Sequence, residues 1–249
     1  MLMAVIAVAL CVNGGAVFFN VTSAFAQNAP LTDCDQLAAN PIDPRRKATG
    51  FPLSKVDTST DIPACETAVR QYPNDAQLNY QLGRAYFRAE NYQAAVDQFG
   101  KAAQQGYPQA QFALGMVYLA GQGVAKDDAE AVSWFRTAAE QGHAPAQDHL
   151  GSMYKNGRGI AQDDGEAVGW YRKAADQGYA EAQRKLGMQY AEGRGVLRDY
   201  VLAYMWLSLS GNAAEASAYV DRATVIKRMS QEQVETAHQL VRSWKPTSP

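Results

Sequence analysis

From about residue 76 to residue 213, small and apolar residues fall three or four positions apart in short runs, and each run stops near a glycine. That spacing gathers them on one stripe of a helix. In the run that opens at Gln109, the stripe is Ala110, Leu114 and Tyr118, and Gly115 beside it lets a neighbouring helix come close. Gly121 and Gly123 supply the positive φ that a helix end and a tight turn require, with a solvent-facing residue between them. A second helix opens at Asp127. The pairs Asp127 with Glu130, and Asp163 with Glu166, have the spacing of a capping box, in which each side chain satisfies an orphan backbone N–H. The buried stripe of this second helix is Ala131, Trp134, Phe135 and Ala138, and Gly142 ends it.

The same sentence is written three times. Gly115, Gly151 and Gly187 are each 36 residues apart, and in register with them recur Leu114, Leu150 and Leu186, then Tyr118, Tyr154 and Tyr190. Asp127, Asp163 and Asp199 follow, then Trp134, Trp170 and Trp206. The tryptophans recur with the core stripe and read as structural. A helical hairpin of this kind cannot bury its own apolar face, so copies must stack.

The pattern resembles the Sel-one-like repeats, relatives of the tetratricopeptide repeats, most closely from Gln109 to Gly178. The third unit keeps Ala203 and Trp206 and then departs at LAYMWLSLSGNA. Ala76 to Gly106 is an earlier unit whose Gly83 precedes Gly115 by 32 residues, so its loop is shorter and it looks like a plain tetratricopeptide unit. The resemblance implies an all-α fold, an α/α solenoid of about four stacked helix-turn-helix repeats with helical caps. The expected divisions are 1–26 (leader), 27–74 (Pro-rich segment and capping helix), 75–107, 108–143, 144–179 and 180–213 (repeats), and 214–249 (capping helices). Asp61 to Tyr72 reads as the first cap, with Pro63 in its first turn. Ala213 to Lys227 reads as another helix, and Ser230 with Gln233 starts a last one whose apolar face is Val234, Ala237, Leu240, Val241 and Trp244.

The leader changes the picture. Met1 to Ala26 is apolar, carries no charged side chain, and ends in Ala24-Phe25-Ala26, the small-x-small pattern of signal cleavage before Gln27; a retained anchor is the alternative. Export implies an oxidising compartment, in which the two remaining cysteines, Cys34 and Cys65, are expected to pair, closing a loop at about 3–4 kcal/mol in the chain-entropy model. The expected location is the periplasm of a Gram-negative bacterium, or secretion from it. The 249 residues are 47% hydrophobic and 19% charged, with a net charge of −2, which argues against a nucleic-acid binder.

Catalytic chemistry has little to stand on. The histidines, His143, His149 and His238, show no metal-ligand spacing, and His143 fills a repeat position held by Tyr107 and Tyr179, a packing place. The paired aspartates lack calcium-loop spacing, the Gly-x-Gly pairs lack a preceding strand, and no G-x-S-x-G occurs. No metal, cofactor or catalytic residue is therefore assigned. Exported proteins with similar repeats include β-lactamases, but those carry paired cysteines in each repeat, and the repeats here have none. A hydrolase of cell wall or β-lactam remains the alternative to a non-enzymatic binding module.

In tetratricopeptide-like stacks the first helix of each pair lines the concave face, and the resemblance places four positions per unit there. These are Tyr80, Arg84, Phe87 and Arg88; Phe112, Met116, Leu119 and Ala120; Asp148, Ser152, Lys155 and Asn156; and Arg184, Met188, Ala191 and Glu192. The implied partner is a protein or peptide, such as an envelope or membrane-sensor protein, with apolar anchors on Tyr80, Phe112 and Met116 and polar contacts to Asp148, Lys155 and Arg184. The competing reading is that Phe112 and Leu119 only pack between units.

Overall fold

A computed structural model of the chain describes Cys34, residues 58–211 and residues 216–247. The leader and most of the Pro-rich segment lie outside the described residues. Among those described, every element is a helix: α1 (Thr58–Gln71), α2 (Ala76–Arg88), α3 (Tyr92–Gln104), α4 (Pro108–Ala120), α5 (Asp128–Glu140), α6 (Ala144–Asn156), α7 (Asp164–Asp176), α8 (Ala180–Glu192), α9 (Tyr200–Leu209), α10 (Ala216–Ile226) and α11 (Gln231–Ser243). Helices α2/α3, α4/α5, α6/α7 and α8/α9 form antiparallel pairs, each pair abuts the next, α1 covers the first, and α10 and α11 pack on α9. The chain is an all-α solenoid, as the repeat implies.

Each pair closes through its glycine. A Cβ on Gly115 would lie 2.5 Å from Phe135, one on Gly151 2.8 Å from Tyr171, and one on Gly187 2.8 Å from Leu207. The buried ring or leucine of the second helix therefore sits directly on the first helix's backbone. Two corrections to the expected stripe follow. Trp134 and Trp170 are only half-buried, whereas Phe135 and Tyr171 beside them are fully buried together with Val132 and Ala139 on one side and Val168 and Ala175 on the other.

The capping boxes are half-made. Asp127 Oδ1 accepts from the N–H groups of Ala129 and Glu130, and Asp163 Oδ1 accepts from that of Glu166. The aspartate N–H groups that a glutamate would return to are already donated to the carbonyls of Tyr118 and Tyr154 across the loop, at 3.0 Å each. Among the described residues only Ser230 and Gln233, where no such loop exists, make the reciprocal box. Helix α1 starts before the expected Asp61, so that Pro63 lies inside it rather than in its first turn. The helix expected from Ala213 is described from Ala216 onward, as α10; residues 212–215 lie outside the described residues.

Neighbouring units are clasped by glutamines. Gln147 Nε2 reaches back to the Ala139 carbonyl at 3.0 Å, and its Oε1 accepts from Gln177 Nε2 at 2.8 Å. Gln111 does the same with Ala103 and Gln141, at 3.3 and 2.6 Å. Gln183 donates to Ala175 at 3.1 Å. All three glutamines are buried, so each clasp satisfies groups that would otherwise be costly to leave unpaired. The loops also nest backwards. A Cβ on Gly159 would lie 2.2 Å from the Asp128 carbonyl oxygen, and Arg158 from the same loop forks onto the Asp128 carboxylate at 2.6 and 3.1 Å.

Candidate binding groove

At the first-helix face the second and third units present equivalent quartets, displaced by 36 residues: Phe112, Met116, Phe135 and His149, against Asp148, Ser152, Tyr171 and Lys185. In the first quartet the contacts are rings. Phe112 lies 5.7 Å from Phe135, 5.1 Å from His143 and 5.3 Å from His149, ring centre to ring centre. Met116, one turn on, is 37% exposed. Burial holds the His143 imidazole down at about 4, with His149 adding to the effect, and its Nδ1 accepts from the Ala146 N–H to cap α6. Its packing place is as expected; the capping bond comes in addition. Burial also lowers His149, although the Asp148 carboxylate pulls the other way.

The second quartet is polar. Lys185 Nζ donates to Asp148 Oδ2 at 2.7 Å and to Ser152 Oγ at 3.1 Å; the Tyr171 hydroxyl donates to Ser152 Oγ at 3.2 Å, and Ser152 donates to the Asp148 carbonyl at 3.0 Å. Asp148 is 2% exposed, and burial raises its carboxyl despite the lysine beside it. Burial likewise pushes the Tyr171 phenol up to about 12.

The proposed groove residues divide by accessibility. Arg88 and Met116 are exposed; Tyr80, Phe87, Phe112, Lys155, Arg184 and Met188 are half-buried; Arg84 and Asp148 are buried. Arg84 lies over the Tyr80 ring at 5.9 Å, and Phe87 meets Tyr92 edge-on at 5.2 Å. Arg184 binds Glu181 at 3.0 Å and Asp221 at 3.5 Å, and Met188 packs on the C-terminal core. Leu119 and Phe112 both pack against the core around Phe135. At the other end, the Cys34–Cys65 disulfide is formed, with its Cα atoms 4.4 Å apart, and Tyr86 donates to Glu66 at 2.6 Å to fix α1 on α2.

Sequence reasoning missed Lys185 and His149, which stand one position before the repeat leucine and fill the face from the following unit. It also missed that Ser152 and Lys155 have S-x-x-K spacing on α6. Among the described residues no hydrogen bond joins those two; the amine that reaches Ser152 belongs to Lys185. No group of His, Cys, Asp and Glu among the described residues is arranged to hold a metal, and no described helix is long and apolar enough to cross a membrane.

Among solved structures the chain is similar to a Sel1 repeat protein from Oxalobacter formigenes, with 27% identity over 76% of this chain and 79% of that one and a TM-score of 0.60. It is also similar to a protective antigen present in uropathogenic Escherichia coli strains that displays an SLR fold, with 27% identity and a TM-score of 0.50 over 74% of this chain; the match spans 48%, about half, of that longer protein. No curated protein matches the chain. The Sel1 repeat family matches residues 108–143, 144–179 and 180–214. The helix pairs α4/α5, α6/α7 and α8/α9, joined by buried glycines and clasped by glutamines, are therefore three tandem Sel1 repeats.

Proposed function

We propose that the chain is an exported, non-enzymatic adaptor that binds a protein segment of the bacterial envelope, such as a membrane sensor, along the first-helix face of its repeats. Repeats of this kind are protein-interaction scaffolds. The observation that carries the reading is Met116, a large apolar side chain 37% exposed on that face, one helical turn from half-buried Phe112. An exposed apolar anchor beside a ring suits a partner segment that presents a hydrophobic residue. The Cys34–Cys65 disulfide and the apolar leader support an oxidising, periplasmic or secreted location.

The test is site-specific photocrosslinking in living envelopes, with the crosslinking residue placed at Met116 or at Leu197, which is 89% exposed on a loop. A discrete adduct at position 116 that is absent at 197 is expected. No adduct at 116, or the same adducts at both sites, overturns the reading.

One observation favours a hydrolase as the second reading: Ser152, with Lys155 one turn on and Lys185 Nζ at 3.1 Å, has the raw parts of a serine–lysine pair. Against it, Lys185 is committed to Asp148 at 2.7 Å and the serine hydroxyl donates to a backbone carbonyl. Turnover of nitrocefin or peptidoglycan that disappears in Ser152→Ala decides for the hydrolase; no turnover decides for the adaptor.

A further inference from the structure

The helix ends at Gly106, Gly142 and Gly178 stand 36 residues apart and are built alike. Each glycine has a positive φ, of 80°, 86° and 87°; its N–H returns to the carbonyl three residues back, and the next N–H reaches the carbonyl five back. The carbonyl of the last helical residue, Gln104 in α3, Glu140 in α5 and Asp176 in α7, is left over, as helix ends leave it.

Among the described residues the chain's own tail covers the third of these ends and no other. The Thr247 N–H donates to the Asp176 carbonyl at 2.8 Å, and a Cβ on Gly178 would meet Pro246 and the Trp244 ring at 3.7 Å. A Cβ on Gly106 or Gly142 would meet nothing within 4 Å. The cover shows in its surroundings: Asp176 and Gln177 are half-buried where Gln104, Gln105, Glu140 and Gln141 are exposed, and burial raises the Asp176 carboxyl although Arg172 pulls it down.

The same tail separates the three repeated tryptophans. Trp244 meets Trp206 edge-on, ring centres 6.2 Å apart, and Trp206 is 6% exposed. Trp134 and Trp170 are half-buried, and among the described residues no second aromatic ring lies against them. Trp170 carries the Lys173 amine 3.7 Å above its ring; Trp134 has the short Thr137 in that place. Because Trp244 touches both Gly178 and Trp206, these are two sides of one seat, and the repeat makes Gly106 and Trp134 the two sides of an equivalent, uncovered one.

The tail also displays what such a seat takes. Trp244 is extended, at φ −66° and ψ 140°, and Pro246 biases the residue before it the same way. We propose that the seat between Gly106 and Trp134 docks an extended segment of a partner protein, one that carries an aromatic residue, a proline two positions on and a backbone N–H after it. The ring packs edge-on against Trp134, the proline lies on the glycine, and the N–H takes the leftover Gln104 carbonyl. A proline-bearing extended segment loses little conformational freedom on docking. This surface lies on the flank formed by the second helices and does not depend on the first-helix groove.

The probe is the synthetic acetylated octapeptide Arg-Ser-Trp-Lys-Pro-Thr-Ser-Pro, the sequence of residues 242–249, titrated into the whole isotope-labelled chain. The indole and glycine N–H signals in NMR locate it. Saturable shifts at Trp134 and Gly106 are expected, with a Kd of roughly 0.1–1 mM, as suits so small a contact. Alanine in place of the peptide's tryptophan should weaken binding about tenfold or more, a test that leaves the chain's fold untouched. Trp134→Ala should abolish the Gly106 shifts. Trp244→Ala, which vacates the third seat, should add shifts at Gly178 with the same peptide. Met116→Ser leaves the titration unchanged, which separates this surface from the groove. No saturation at Gly106, shifts confined to Gly178 and Trp206, or equal affinity of the alanine peptide overturns the proposal. So do shifts at Trp134 that grow on concentrating the chain without peptide, since these assign the seat to the tail of a second copy.

Discussion

Phe135 and Tyr171 occupy the same place in successive repeats, each lying on the glycine of the helix before it, and they differ by one oxygen atom. Around Phe135 the face is built from Phe112, His149 and Met116; around Tyr171 it is built from Asp148, Lys185 and Ser152. The buried hydroxyl of Tyr171 needs a partner, Ser152 provides it, and Ser152 in turn receives Lys185, which holds Asp148. Where that hydroxyl is missing, the same positions close with rings. The lesson is that the chemistry of the face is set partly by what lies beneath it, so one core position propagates to three neighbouring ones.

The strongest way to break the polar half is Lys185→Met. It leaves the Asp148 carboxylate buried without its cation, which should cost about 3 kcal/mol in urea unfolding, the lower end of the range for buried pairs because Lys185 is 24% exposed. Adding Asp148→Leu should restore most of the loss. A single mutant within about 0.5 kcal/mol of the parent would show that the pair contributes nothing to the stack.

The ring half is open to acid. His143 falls from its usual value of 6.5 to about 4 in the folded chain, so the unfolded chain binds the proton first. Stability is complete above pH 6.5 and is lost as pH falls from there towards 4, by roughly 2–3 kcal/mol. His143→Tyr, the residue at positions 107 and 179, should flatten that window in a Tm-against-pH series. Asp148 works in the opposite direction: its folded value is raised, so its ionisation cost is relieved as pH drops through that value. A His143→Tyr variant with the parent's acid slope would assign the sensitivity elsewhere.

Smaller effects sharpen the contrast. Gly115→Ala places a methyl 2.5 Å from the Phe135 ring, against 2.8 Å at Gly151 and Tyr171, and overpacking of this kind costs about 1–3 kcal/mol. The loss should be larger at Gly115, read as a shift in denaturation midpoint. Tyr171→Phe removes one hydrogen bond and should cost about 1 kcal/mol, whereas Phe135→Tyr brings a hydroxyl into the ring half and should cost at least as much. Equal and negligible changes in both would mean the two halves are interchangeable.

The solenoid was legible in the sequence because the residues that build it are dictated by packing and therefore repeat: the glycines, the alanines, the aspartate caps and the leucines. The face was not. Its occupants vary from unit to unit, and one member of each quartet comes from the next repeat, so Lys185 and His149 have meaning only once the stack is assembled. The tryptophans misled in a different way. They recur with period 36, but helix geometry turns Trp134 and Trp170 towards the flank while the residue after each takes the core.

The glutamine clasps between units all point the same way along the chain. Gln111, Gln147 and Gln183 each reach back to a carbonyl of the preceding unit, and Gly159 with Arg158 does likewise at Asp128. A polypeptide delivered N-terminus first, from a ribosome or through a narrow channel, meets each acceptor already folded when its donor emerges. The stack can then grow like a ratchet, one completed hairpin serving as the template for the next, while the bonds from Arg136 to Tyr154 and from Arg172 to Tyr190 close as the later unit arrives.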